Sequence, residues 1–116
     1  MASIVKALLQ KHQQELQQMQ EWSTVSQSKT KEKDRYQRFG EALLNVIIEL
    51  LAHEEGITDL TPLKVATFKS HLLNEMANKH QVDESTLERT LGMFLRDAFD
   101  NNLEFVKVKQ EFEIIF

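Results

Sequence analysis

The side chains able to do chemistry in this 116-residue chain are few and scattered. Four histidines stand at positions 12, 53, 71 and 80. His71 and Glu75 are four apart, which puts them on one helical face and makes a two-ligand start for a metal ion. His80 joins that pair only by turning back from the helix end. There is no HExxH spacing and no cysteine, so thiolate metal sites and disulfides are excluded, and no metal or cofactor is assigned. His53, beside Glu54 and Glu55, falls in the last turn of a helix, where the dipole alone explains it. Asp97 and Asp100, three apart, read as a solvated face and not as an acid/base pair. Serines and threonines fall at helix caps and in one polar stretch, each with a structural role available. The three glycines are isolated, so no phosphate-cradling loop exists. These residues predict no catalytic site and a protein that is not an enzyme.

Charge narrows the partners. Lys29, Lys31, Lys33, Arg35 and Arg38 form the basic concentration of the chain, diluted by Glu32, Asp34 and Glu41. Such a run is either a solvated helix start or a contact for phosphates or an acidic partner. The net charge of −4 gives no general attraction to nucleic acid or an anionic membrane. No apolar run reaches the roughly 18 residues of a membrane span. The N-terminal stretch lacks a basic start and a small-residue cleavage site, so a cytoplasmic protein is expected.

Length and composition suit a single domain, 1–116, with 41% hydrophobic and 28% charged residues. One proline and three glycines are too few for an all-β fold. A mostly α protein of four helices, at about 3–22, 33–55, 62–79 and 85–100, is expected. The first helix has Ser3 as its cap and a narrow apolar stripe through Leu8, Leu16, Met19 and Trp22 opposite a Gln-rich face, as a possible dimerisation arm. A polar linker, 23–34, follows, flanked by Trp22 and Tyr36. Tyr36 to Ala52 is apolar over most of its circumference and reads as a central helix surrounded by the others within a core of 35–116. Gly56 stops it, and Thr61 with Pro62 starts the third helix. Ser85 with Glu88 makes a capping box for the fourth. Residues 103–116 are rich in β-branched and aromatic types, and Val106 and Val108, then Phe112, Ile114 and Phe116, alternate. That predicts a C-terminal strand or hairpin.

Within 73–91, the stretch MANKHQVDESTLERTL (76–91) resembles a generic helix-turn-helix module. Ala77 stands where the helices cross, Val82 in the turn, and Thr86, Leu87 and Leu91 on the inward face. The resemblance implies a trihelical core, with the C-terminal strand in the place of a winged-helix wing. It also implies that the second helix would open with Asp83, Glu84, Ser85, Glu88 and Arg89 toward a ligand. That start has the wrong sign for DNA, and residues 83–116 carry eight acidic against four basic side chains.

The function expected is therefore that of a small interaction or regulatory protein that binds a protein partner and self-associates. Its interface residues would be Leu8, Leu16, Met19, Trp22, Phe112, Ile114 and Phe116. The alternative is a dimeric helix-turn-helix DNA-binding regulator using Lys29, Lys31, Lys33, Arg35 and Arg38 on phosphates and Arg89 at a base edge.

Overall fold

The computed structural model describes the backbone of residues 2–22, 27–98 and 102–116 and, within these, all side chains except those of 19–22, 27–30, 32, 102 and 103. Helix α1 (Ile4–Lys11) opens at Ser3, whose hydroxyl accepts the Lys6 N–H at 3.0 Å. At His12 the backbone leaves helical geometry (φ −100°, ψ 11°), and α2 (Gln13–Trp22) follows. The single helix expected over 3–22 is thus two, broken at His12.

Helix α3 (Gln27–Glu54) has 28 residues. Its rise of about 42 Å nearly spans the molecule's longest dimension of 47 Å. Most of the expected linker is therefore helix; only 23–26 fall outside the described residues. Residues 27–34 lack apolar periodicity, yet Lys, Gln and Glu are good helix formers and extend a helix already anchored downstream. Gly56 ends α3 with φ +73°: its own N–H reaches the His53 carbonyl at 3.2 Å, and the Ile57 N–H reaches that of Ala52 at 2.9 Å. This is a Schellman closure.

Helix α4 (Pro62–His80) starts as its sequence predicts, with the Thr61 hydroxyl accepting the Lys64 N–H at 3.2 Å and Pro62 in the first turn. It ends in the same closure as α3, with Gln81 at the left-handed position (φ 57°, ψ 45°) and Val82 N–H on the Ala77 carbonyl at 3.0 Å. Helix α5 (Glu84–Asp97) begins one residue before Ser85, with Asp83 at the cap position and no side-chain cap bond. The expected Ser85/Glu88 capping box is absent because Ser85 lies inside the first turn and not at the cap position.

The last element, α6 (Asn102–Ile115), is a helix. The expected C-terminal strand or hairpin is overturned: among the described residues there are six helices and no strand. Two periodicities overlap in this segment. Val106, Val108, Phe112 and Ile114 share one parity, but Val108 and Phe112 also lie four apart. The structure follows the second spacing. Val108 and Phe112 are buried, while Val106 and Ile114 are 50% and 82% exposed. Packing against α1 and α4 outweighs β-propensity, which is itself largely a preference for packing context.

The core draws Val5 and Leu8 from α1, Leu44, Ile48 and Leu51 from α3, Leu72 and Met76 from α4, Leu87, Leu91 and Phe94 from α5, and Val108 and Phe112 from α6. The most enclosed helix is α5, buried at every position from Leu87 to Phe94 except Arg89. Helix α3, expected to be surrounded, lies at the side of the bundle with Phe39, Val46 and Leu50 at 37%, 55% and 46% exposure. A Cβ on Gly40 would stand 1.9 Å from the Glu88 carbonyl oxygen, and one on Gly92 would stand 1.9 Å from that of Tyr36. Position 40 meets 88 while 92 meets 36, so α3 and α5 run antiparallel with their backbones touching.

Gly92→Ala should therefore destabilise the fold by at least about 2 kcal/mol, lowering Tm by about 8 °C. Alanine's helix propensity pulls the other way by about 1 kcal/mol, so an unchanged or raised Tm in calorimetry would contradict the contact. Gln81→Gly, which relieves a left-handed non-glycine residue, should raise stability by up to about 1 kcal/mol in urea unfolding.

Candidate functional site

Three polar clusters occupy the bundle. The first joins Ser3, His80 and Glu111. The Ser3 hydroxyl donates to Glu111 Oε2 at 2.7 Å, and the Val5 N–H donates to Glu111 Oε1 at 3.2 Å. His80 Nε2 lies 3.5 Å from the hydroxyl and 3.4 Å from Glu111 Oε2. These residue types also make hydrolytic triads, but there the imidazole links nucleophile to acid through its two different nitrogens. Here one nitrogen faces both groups, and the serine proton goes directly to the carboxylate. The cluster satisfies the free N–H groups at the start of α1 and ties that helix to α6 and the end of α4.

The second cluster is centred on Arg96 of α5. Its guanidinium donates to both oxygens of Glu15 on α2 (3.0 and 3.3 Å), to those of Asp97 (2.8 and 3.2 Å), and to the Tyr36 hydroxyl on α3 (3.0 Å). His12, 2% exposed, places Nδ1 3.1 Å from Glu15 Oε1. Its Nε2 is 3.8 Å from Asp97 Oδ2, beyond hydrogen-bond reach. Hydrogen bonds from Arg96 hold the carboxyls of Glu15 and Asp97 below their usual range. The cluster joins three helices where the apolar core thins out; Leu16 packs beside Tyr36 and Met93 there.

The third is a carboxylate pair. Glu88 is 7% exposed at the α3–α5 contact, and its carboxyl is pushed up to about 7, first by burial and then by the charge and hydrogen bond of Glu41. Lys69 offsets part of that rise and Glu84 adds to it.

The sequence-predicted residues are dispersed. Leu8 (4% exposed) and Phe112 (0%) belong to the core. Leu16 and Phe116 are half-buried, Phe116 with its ring 5.0 Å from that of Phe68, and Ile114 is exposed. The side chains of Met19, Trp22 and Lys29 lie outside the described residues. Lys31, Arg35 and Arg38 are exposed along α3 and Lys33 is half-buried. Arg89 lies apart from them, in a cleft with Lys6 and Lys79. Of the expected start of a recognition helix, Asp83 and Glu84 are exposed, Ser85 and Arg89 half-buried, and Glu88 buried. His71 is turned toward the Ile115 carbonyl (3.2 Å), away from a metal role with Glu75. No group of three metal-ligating side chains occurs among the described residues. Nor is any helix there long and apolar enough to cross a membrane.

The surface missed by sequence reasoning is the outer face of α3. Phe39, Val46 and Leu50 recur at seven- and four-residue spacing with Ala42 between them, so they form one stripe. Arg35 and Arg38 flank its beginning, and Glu49 and Glu54 its end. The wide apolar arc of this helix was the available signal; its outer part is the stripe.

Burial of Glu88 makes stability depend on pH with a definite sign. The unfolded side chain loses its proton near 4.5, and the folded one near 7. Its contribution is complete below the lower value and declines as pH rises to the upper one, by at most about 3 kcal/mol. Glu88→Gln keeps a hydrogen-bond donor for Glu41 without a charge. It should raise Tm by about 4–8 °C near pH 8 and change it little near pH 5. Equal shifts at both pH values would remove burial of this carboxyl as the cause.

The chain matches no family model, no curated protein and no solved structure.

Proposed function

We propose that this chain is a non-enzymatic interaction protein that acts by binding protein through the outer face of α3, with a second copy of itself as the partner. The observation that carries this is the stripe Phe39–Ala42–Val46–Leu50, lying between a basic and an acidic end of one long helix. Water-exposed apolar groups at regular spacing gain free energy when covered. The charge arrangement selects the occupant. An antiparallel two-fold pairing lays Phe39 on Leu50 of the second copy and Ala42 on Val46. It also brings the Arg35–Arg38 end of one helix over the Glu49–Glu54 end of the other. The same patch on both copies is then self-complementary. A parallel pairing would set like charges together at both ends.

The interface first expected, through the N-terminal helix and a terminal strand, does not serve this reading, since α1 is packed in the core and α6 is not a strand. A duplex-DNA reader is not preferred either. The exposed start of α5 offers two carboxylates, which phosphates repel. The absence of cysteine suits a reducing compartment such as the cytoplasm.

Sedimentation equilibrium on the full chain tests the pairing. A dimer that dissociates on dilution is expected, and Val46→Glu should give the monomer mass with an unaltered melting curve, because Val46 is 55% exposed. Ile114→Glu, at an 82% exposed position off the stripe, should leave the dimer intact. A monomer at every concentration, or a dimer indifferent to Val46→Glu, would overturn the assignment.

A further inference from the structure

We infer that the cleft between α1–α2 and the α4–α5 turn is a binding site for a small organic anion bearing carboxylate or phosphate groups. The cleft encloses about 520 Å³, within the range of small-molecule sites. Four groups that carry or can carry positive charge line it: Lys6 from α1, Lys79 and His80 from the end of α4, and Arg89 from α5. Among the described residues no carboxylate lines it. In a chain of net charge −4, this is a local concentration against the overall sign.

Three of these cations, Lys6, Lys79 and Arg89, have no counter-charge among the described residues. The Nε of Arg89 is buried and meets no acceptor there. Arg96, two turns further along α5, shows the contrast, since its guanidinium is met by Glu15, Asp97 and Tyr36. A half-buried guanidinium without a counter-charge favours an anion supplied from outside. His80 has a carboxylate of its own in Glu111, so it forms the wall and the other three supply the charge.

The rest of the lining narrows the ligand. Leu9, Leu16 and Val82 give an apolar portion, and the side chains of Gln13, Gln17 and Thr86 add neutral donors and acceptors. Among the described residues that line the cleft none is aromatic, so they offer a nucleobase no ring to stack on. The combination fits a compact polyanion with a short carbon skeleton. This site is separate from the α3 stripe, as none of Phe39, Ala42, Val46 and Leu50 lines it.

Calorimetric titration of the full chain with pyrophosphate and with citrate, each at low and raised ionic strength, tests the assignment. At least one probe should bind, with affinity falling as salt rises. Arg89→Gln and Lys79→Gln should each weaken that binding by about tenfold or more. Lys107→Gln, an exposed cation removed on α6, should not. Lys79 is exposed, so its variant keeps the test decisive if Arg89→Gln fails to fold. Response to citrate alone or pyrophosphate alone assigns the carboxylate or the phosphate class. Binding of neither probe, or binding weakened equally by Lys107→Gln, would overturn the site. So would binding of a poly-glutamate peptide when both small anions fail.

Discussion

The contact of backbone on backbone where α3 crosses α5 is the constraint on which the other packing depends. Only a residue without a Cβ fits at Gly40 and Gly92, because the Glu88 and Tyr36 carbonyls occupy the space a side chain would need. Bringing two helices this close removes the side-chain layer that normally separates them. It also fixes their relative position along the axis, since each glycine faces one carbonyl four residues before the other glycine. Two consequences follow. Glu88 is held at a crossing too tight to hydrate it, which raises its proton affinity. Tyr36 is held where its hydroxyl accepts from Arg96, so α5 grips α3 at two successive levels.

With α3 pinned along one flank, α5 becomes the axis around which the other helices gather. Its residues reach nearly all of them: the backbone at Glu88 and Gly92 touches α3, Arg96 bonds to α2 and α3, and Leu87, Leu91 and Phe94 enter the shared core. That position changes the meaning of the helix-turn-helix resemblance. Helices α4 and α5 are indeed joined by a three-residue turn, 81–83, and Gln81 takes the left-handed conformation usually given to glycine. In a DNA reader, however, the second helix offers a free face to the groove. Here that helix is the most enclosed in the molecule.

Helix existence and several ends were legible because they depend on local chemistry. Ser3, Gly56, Thr61 and Pro62 act within a few residues of where they stand, and each does what its type predicts. What depended on distant partners was not legible. Val106 through Ile114 satisfy either a strand or a helix until α1 and α4 supply a surface that rewards a four-residue spacing. The break at His12 was hidden because its neighbours continue the helical pattern; Glu15 and Asp97 surround it only after folding. Gly40 and Gly92 looked like isolated glycines in helices, where alone they would weaken them by about 1 kcal/mol each. Their use appears only when the helices cross. The cleft was likewise illegible, since Lys6, Lys79 and Arg89 are far apart in the chain.

How the polar residues are used separates the two kinds of surface. Ser3, His80 and Glu111 close the start of α1; His12, Glu15, Tyr36, Arg96 and Asp97 knit α2, α3 and α5; Asp59 pairs with Lys64 before α4, and Lys109 of α6 reaches Glu54 at 2.6 Å. Each of these groups points at another part of the chain. Two sets of groups among the described residues stand apart from these. One is a set of cations facing a cleft, and the other a row of apolar side chains facing water. Unpaired charge and uncovered apolar area both lower their free energy by acquiring a complement, and neither requires a bond to be made or broken. The cleft and the α3 stripe are surfaces of these two sorts, and on them rest the proposed anion site and the proposed helix pairing.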